Sequence, residues 1–185
     1  MRLFVALNLP ENVRTAVCTT VRPLQNMGFA LRWMKPEHVH LTLKFLGEVD
    51  LDREPELVAT LGRACAGARP VTLSLRDFGV FPHYQLPSVV WVGVAPEPAL
   101  ELLQHRVEQE FAPLDFPTEA RAFRPHITLG RAGPRAKAGG FSQLEQALAN
   151  LRFEATVVVD TVDLMQSTLQ SGGAVYHVRH RERLS

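Results

Sequence analysis

The chain has 185 residues, of which 46% are hydrophobic and 21% are charged, close to the averages of a globular domain. This composition excludes a disordered chain, a collagen and a coiled coil, and no apolar run reaches the ~18 residues that a membrane span requires. With 20 basic against 19 acidic residues the net charge is +1, which excludes a polycation that coats nucleic acid.

The first residues and the two cysteines indicate the compartment. Asn8 and Pro10 interrupt the apolar opening segment and no small-residue cleavage site follows, so the segment predicts a strand rather than a signal peptide. Cys18 and Cys65 have no second pair of cysteines to complete a disulfide framework or a thiolate zinc site. We therefore expect two buried thiols in a reducing cytoplasm.

Hydrophobic periodicity predicts alternating strands and helices. Pro10 and Glu11 suit the first turn of a helix, and Ser142 with Glu145 forms a capping-box pattern. In chain order the patterns predict a strand over 3–7, a helix over 10–24, strands over 32–34 and 39–46, a helix over 56–66, strands over 71–78 and 89–94, a helix over 100–111, a strand over 123–131, a helix over 142–151, and strands over about 153–165 and 175–180.

The chain contains an internal repeat. Leu9–Glu11 recurs as Ala95–Glu97, and His40–Leu43 recurs as His126–Leu129, both at an offset of 86 residues. Two landmarks with one offset predict a duplicated unit. We expect an α+β fold of two pseudo-symmetric lobes, each an antiparallel sheet with helices on its outer face, around a central cleft. Residues 1–185 would form one bilobal domain, with repeat units of about 1–85 and 86–185 that exchange strands.

The repeated segments contain the candidate catalytic residues. Side chains alternate along a strand, so His40 and Thr42 share one face, as do His126 and Thr128. A pseudo-two-fold axis would bring these two faces together across the cleft. Two satisfied core histidines, each bonded to a neighbouring threonine, are the structural alternative.

Two opposed imidazoles suit phosphoryl chemistry without a metal. Histidine titrates near ~6.5, so one ring can be neutral and accept a proton from water while the other is protonated and donates to the leaving oxygen. The hydroxyls can donate to the non-bridging phosphate oxygens. Lys44 continues the polar face of the first strand and Arg124 precedes His126 on the second, so each end of the cleft gains a cation.

A local basic segment lies beside the second histidine. It contains five positive charges and no acid: Arg121, Arg124, Arg131, Arg135 and Lys137. Such a patch suits one phosphate or a short nucleotide better than a long duplex, and a solvated loop is the alternative. The positive charge of Arg124 and Arg131 should lower the pKa of His126, which favours His126 as the base and His40 as the acid.

The segments His40–Gly47 and Arg124–Arg131 resemble the paired H-x-T-x signatures of the two-histidine (2H) phosphoesterase superfamily. The closest resemblance is to its bacterial and archaeal branch of RNA 2′,3′-cyclic phosphodiesterases, long called 2′-5′ RNA ligases. The likeness extends to the segments 2–6, 32–33, 78–82 and 90–94.

The resemblance implies a bilobal fold and the opening of a 2′,3′-cyclic phosphate on an RNA 3′ end to a 2′-phosphomonoester, with no metal or other cofactor. By position His40 would be the proton donor and His126 the proton acceptor, with Thr42, Thr128 and Arg131 binding the phosphate. Ligation of 2′-5′ bonds is the same displacement in reverse, and the motifs leave it open.

Several aromatic residues are candidates for stacking on a base: Trp33, Phe45, Phe81 and Tyr84. Most aromatic residues in proteins belong to the core, so packing in the core is the alternative for each of these four. Lys44, Phe45, Arg124 and Tyr84 complete the candidate substrate contacts.

Two other functions remain as alternatives. A non-catalytic module that binds RNA ends or nucleotides would need the aromatics and the basic segment but not both histidines. A metallohydrolase would use His38-x-His40 as a chelating pair, with a third ligand from acids such as Glu37. The chain has no phosphate-binding loop of the G-x-x-x-x-G-K-[ST] type, and nothing predicts a membrane or an obligate protein partner.

Overall fold

The computed structural model describes residues 1–185 and confirms the predicted α+β class. Nine strands form one antiparallel sheet, and four α-helices pack against it. The elements are β1 Arg2–Asn8, α1 Glu11–Gln25, β2 Leu31–Trp33, β3 His40–Glu48, α2 Glu54–Cys65, β4 Val71–Phe81, β5 Val89–Val94, α3 Pro98–Phe111, β6 His126–Ala132, α4 Leu144–Ala149, β7 Glu154–Val159, β8 Thr161–Gln170 and β9 Gly173–Arg183.

The strand order is β7-β4-β5-β6-β3-β1-β8-β9, with β2 paired to β6 beside β3. The two halves of this order meet at β3 and β6, which are joined by one residue pair, Leu41 with Ile127. These two residues are 86 positions apart, so the repeat offset coincides with the centre of the sheet. One half combines the two ends of the chain, because β8 and β9 lie beside β1, and the other half contains β4 to β7 from the middle of the chain.

The helices cover one face of the sheet. One cluster of 33 buried residues joins α1, α2 and α3 to the apolar side chains of the central strands, including Leu41 and Ile127. A smaller cluster places Leu144 and Leu148 of α4 against Val90. The apolar residues that alternate with His40 and His126 therefore anchor their strands to the helix layer, which turns the histidines to the opposite face.

Two of the predictions differ from the structure in more than the position of an element's ends. The strand over about 153–165 is two strands that break at Asp160, because β7 pairs with β4 at one end of the sheet and β8 pairs with β1 near the other. The capping box at Ser142 is wrong: α4 begins at Leu144 after Gln143, and no side chain caps it. A backbone turn, in which the amide of Leu144 donates to the carbonyl of Phe141, takes its place.

Both cysteines are buried and free, as predicted. Burial raises the pKa of the Cys65 thiol to about 12, so this side chain behaves as an apolar core residue. None of the helices is long and apolar enough to cross a membrane.

Candidate active site

The two histidine motifs lie side by side at the centre of the sheet. His40 and His126 are the first residues of β3 and β6. The antiparallel pair Leu41–Ile127 places His40 level with Thr128 and Thr42 level with His126. The side chains of these four residues share the face opposite the helices, here called the histidine face. The imidazoles thus alternate with the hydroxyls around the centre of the sheet.

Each histidine is held by the same hydrogen bond. Nδ1 of His40 lies 2.8 Å from the carbonyl oxygen of His38, and Nδ1 of His126 lies 2.7 Å from that of Arg124. A carbonyl oxygen only accepts, so both Nδ1 atoms carry a proton and donate it. In each neutral ring Nε2 is then the atom with the free lone pair, and in each protonated ring it is the atom that can give a proton away.

The environment disfavours the charged form of both rings. The pKa of His40 is lowered to about 4, mainly by burial; the bond to His38 opposes this shift, and the positive charge of Arg131 adds to it. Burial also lowers the pKa of His126, with Arg131 and Arg124 acting in the same direction. The expectation that Arg124 and Arg131 lower the pKa of His126 is confirmed. Arg131 also lowers the pKa of His40, so the contrast between the two imidazoles is smaller than the sequence suggests.

Aromatic rings enclose both imidazoles. The ring of Tyr176 on β9 stands edge-on to His40, with centroids 5.0 Å apart, and Phe4 packs against the same imidazole at 4.9 Å. Phe81 at the end of β4 stands edge-on to His126, with centroids 4.9 Å apart. These rings supply the burial that lowers the two pKa values. The sequence contains no signal for Tyr176, since only the strand order brings β9 toward β3.

The two threonine hydroxyls have no partner within the protein. Thr42 and Thr128 are half-buried, and neither side chain takes part in a hydrogen bond, unlike the hydroxyls of Thr20 and Thr60, which donate to helix carbonyls. Two unpaired donors beside two imidazoles form a site that a phosphate anion can satisfy.

A β-bulge follows each histidine motif. Val5 and Ala6 pair with Lys44 and Thr42, so Leu43 is the extra residue in β3. Leu129 is the extra residue in β6, since Val90 and Trp91 pair with Gly130 and Thr128.

An extra residue reverses the alternation of side chains along the strand beyond it. The first six residues of both strands accordingly share one burial pattern, with two successive buried positions at the bulge.

The bulges decide which residues reach the histidine face. The expectation that Lys44 continues the polar face of β3 is wrong: its side chain turns toward the helices, is only 6% exposed, and pairs with Glu108 at 2.6 Å. Phe45 takes its place on the histidine face and is 65% exposed. In β6 the same reversal brings Arg131 to the histidine face, beside His126 and Thr128.

The remaining candidate residues divide between the site and the core. The guanidinium of Arg124 lies 4.7 Å from the ring centroid of Phe81, which places it beside His126. Tyr84 packs against the smaller hydrophobic cluster, and burial raises the pKa of its hydroxyl. Trp33 is partly buried against both clusters. Phe45 and Phe81 are therefore the aromatic candidates that lie with the histidines.

The chelating pair His38-x-His40 lacks further ligands. No group of three or more histidine, cysteine, aspartate or glutamate side chains in the chain is arranged to hold a metal ion. Nδ1 of His40 is already engaged by the carbonyl of His38. The donor set of this pair does not fit a protein-bound zinc ion, which takes three or four side-chain ligands.

Comparisons with known proteins agree with this geometry. The family described as the 2′-5′ RNA ligase superfamily matches residues 13–170. The RNA 2′,3′-cyclic phosphodiesterase of Thermotoga maritima is 31% identical over 179 residues, which cover 96% of this chain and 92% of that protein. The protein of the same name from Methanothermobacter thermautotrophicus is 31% identical over 177 residues and 95% of each chain.

Solved structures of similar proteins share the whole fold. A protein of Thermus thermophilus superposes with a TM-score of 0.78 at 31% identity, covering 100% of this chain and 98% of that one. E. coli LigT in complex with 3′-AMP superposes with a TM-score of 0.75 at 28% identity and the same coverage. The resemblance of the two histidine motifs is confirmed, and the chain belongs to the 2′-5′ RNA ligase superfamily.

Proposed function

We propose that this protein is an RNA 2′,3′-cyclic phosphodiesterase that opens the cyclic phosphate of an RNA 3′ end, or of a nucleotide, to a 2′-phosphomonoester. One observation carries the proposal: two imidazoles, each protonated on Nδ1, alternate with two threonine hydroxyls that have no partner within the protein. The relatives named RNA 2′,3′-cyclic phosphodiesterase, which match almost the full length, support the same reaction.

The reaction needs one proton acceptor and one proton donor. Nε2 of neutral His126 takes a proton from water while the water oxygen forms a bond to phosphorus. The bond from phosphorus to the 3′ oxygen breaks, and Nε2 of protonated His40 gives its proton to that oxygen. The phosphate remains on the 2′ oxygen, and His126 is now protonated while His40 is neutral. Proton exchange with water restores the starting state of both rings before the next turnover. No metal or other cofactor takes part.

The roles of the two histidines follow from the family resemblance rather than from the charges of the free protein. Arg131 lowers the pKa of both rings, and His40 is the more strongly shifted of the two. A bound phosphate changes this balance, because the attraction between an anion and an imidazolium is strongest where water is excluded. His40, enclosed by Phe4 and Tyr176, gains most from that attraction and becomes the donor when substrate is bound.

The phosphate would be bound by Thr42, Thr128 and Arg131. The hydroxyls donate to the non-bridging oxygens, and the guanidinium offsets the negative charge that develops there. Phe45 and Arg124 are proposed substrate contacts at the two sides of the site, where the exposed ring of Phe45 offers a surface on which a base can stack. Lys44 and Tyr84 are no longer candidates, since both are directed into packed regions.

The decisive experiment is turnover of a nucleoside 2′,3′-cyclic phosphate in excess EDTA, with the product identified by phosphorus NMR. We expect chelator-resistant formation of the 2′-phosphate. Loss of turnover with EDTA would indicate a metallohydrolase, and binding without turnover would indicate a non-catalytic RNA-end module. Incubating an RNA that ends in a 2′,3′-cyclic phosphate with a second RNA that has a free 5′ hydroxyl would show whether the enzyme also forms 2′-5′ bonds. The two free thiols fit a reducing compartment such as the cytoplasm.

A further inference from the structure

Two arginines face each other across the pairing of β2 with β6. Arg32 and Arg131 are direct partners in this antiparallel register, so their side chains leave the same face with Cβ atoms about 5 Å apart. Both are exposed. Neither has an acidic partner, in contrast to the arginines that do form ion pairs, which are Arg53, Arg63, Arg179 and Arg181.

Like charges placed directly opposite each other destabilise a sheet. The four ion-paired arginines are each neutralised by a carboxylate within 3.0 Å. Phosphate groups bound at the two guanidiniums would offset the repulsion between Arg32 and Arg131, and phosphate suits the planar donor edge of arginine. The pair therefore has the geometry and the unmet charge of an anion site.

The two arginines lie at different distances from the reacting centre. Arg131 is near enough to both imidazoles to lower the pKa of each, whereas the charge of Arg32 affects neither. Arg32 also lies on β2, which pairs with the later part of β6, at residues 130–132, away from His126 at its start. Arg131 therefore faces the proposed position of the scissile phosphate, and Arg32 lies farther from the two histidines on the same face.

We propose that Arg32 binds the phosphodiester that precedes the cyclic end, so that the site recognises an RNA end in preference to a single nucleotide. This inference rests on the proposed function and specifies its substrate class. A mononucleotide has no second phosphate for Arg32 to contact. An oligoribonucleotide does, and its chain would leave the site along β2.

The test compares Arg32→Gln with the wild type on two substrates: a nucleoside 2′,3′-cyclic phosphate and a six-nucleotide RNA that ends in the same group. Loss of a charge-assisted hydrogen bond weakens binding about 10- to 100-fold, so kcat/KM for the RNA should fall by about that factor. The kcat/KM for the mononucleotide should stay within about twofold of the wild-type value. The slope of log(kcat/KM) against the logarithm of the salt concentration should become shallower by about 0.7 for the RNA, as expected for the loss of one phosphate contact on a single strand.

Arg69→Gln is the matched control, because Arg69 is also exposed and lies in the loop between α2 and β4. It should change neither substrate's kinetics. Equal losses on both substrates with Arg32→Gln would overturn the proposal by assigning Arg32 to the cyclic phosphate itself. Unchanged kinetics on the RNA would overturn it by removing the contact.

A binding measurement separates this proposal from the proposed function. Fluorescence anisotropy of an RNA that ends in a 2′-phosphate requires no turnover. We expect Arg32→Gln to weaken binding of this RNA about 10-fold and to leave binding of a nucleoside 2′-phosphate, measured by competition, unchanged. If the wild type hydrolyses neither cyclic substrate, the proposed function fails, while the anisotropy still supports or contradicts the role of Arg32.

Discussion

Tyr176 stands at a right angle to His40, with 5.0 Å between the ring centroids and 85° between the ring planes. Phe81 stands to His126 in almost the same way, at 4.9 Å and 88°. The two aromatic residues come from β9 and β4, which are not neighbours in the sheet. Each ring limits the rotation of an imidazole and excludes water from one side of it, and this exclusion is the main reason that both histidine pKa values lie below the ordinary value.

Replacing Tyr176 should therefore raise the pKa of His40. In Tyr176→Leu, water reaches the imidazole, and we expect its pKa to move from about 4 toward the ordinary histidine value of ~6.5. The measurement is an NMR titration of the histidine ring protons. Tyr176→Phe is the control and should titrate like the wild type, because the Tyr176 ring rather than its hydroxyl makes the contacts. An unchanged His40 titration in Tyr176→Leu would show that the ring does not control the pKa.

The two histidines should act as one unit. We expect His40→Ala and His126→Ala each to lower turnover by roughly 10²- to 10⁴-fold, the usual contribution of a general acid or base. The double variant should lose far less than the product of the two single losses, because removing either partner already disables the proton transfer. Single-turnover rates on a nucleoside 2′,3′-cyclic phosphate measure all three values. Near wild-type turnover in either single variant would remove that residue from the mechanism.

The threonine hydroxyls should contribute mainly to the transition state. Thr42→Val and Thr128→Val keep the side-chain shape and delete a donor that has no partner within the protein. Each should cost about 10- to 1,000-fold, with most of the loss in kcat, if the bonds tighten as charge develops on the phosphate. Comparing kcat with KM for both variants tests this. If both variants behave like the wild type, the threonines serve only to form their strands.

The sequence predicts the central residues of the site well but not their surroundings. His40, Thr42, His126 and Thr128 follow from a repeat and from strand alternation, which are local patterns. The faces of the residues beyond Leu43 cannot be predicted from these patterns, because a bulge depends on how neighbouring strands pair. In β3 the bulge exchanges the faces expected for Lys44 and Phe45.

Long-range strand order limits the prediction in the same way. Tyr176 reaches His40 only because β8 and β9 continue the sheet beyond β1, at the end of the chain farthest in sequence from the first histidine motif. Arg32 faces Arg131 only because β2 pairs with β6 rather than with its sequence neighbour β3. The first half of the chain contains no pattern that specifies either pairing.

The Lys44–Glu108 ion pair provides a test of stability that should leave catalysis intact. Nζ of Lys44 donates to Glu108 and to the carbonyl of Pro117, and Glu108 also accepts from the amide of Glu119, so the pair ties α3 to the loop before β6. Lys44→Met leaves a buried carboxylate unpaired and should lower the free energy of unfolding by roughly 3–5 kcal/mol.

Two measurements check this prediction. Urea unfolding should show that Lys44→Met combined with Glu108→Leu recovers a large part of the lost stability, because both buried charges are then removed. The kcat/KM of folded Lys44→Met should stay near that of the wild type, since its side chain faces the helices. A large loss of activity with normal stability would return Lys44 to the site.

The pH dependence of the reaction should differ between kcat/KM and kcat. The first follows ionisation of the free enzyme, in which burial lowers the pKa of His40 to about 4 and also lowers that of His126. One ring must be protonated and the other neutral, so kcat/KM should be bell-shaped with its optimum below about pH 6.5, the ordinary pKa of histidine. The alkaline limb of kcat should lie at higher pH, because the bound phosphate anion raises the pKa of the donor in the complex.

The residual activities of the single variants then assign the two roles. The acidic limb reports the base that must lose its proton, and the alkaline limb reports the acid that must keep it. With His126 as base and His40 as acid, His126→Ala should lose the acidic limb and His40→Ala the alkaline limb. The opposite result would keep the pair and exchange the roles, in line with the lower pKa of His40 in the free protein. A flat wild-type profile would contradict acid–base catalysis by these histidines, since two rings with different required charges must produce two limbs.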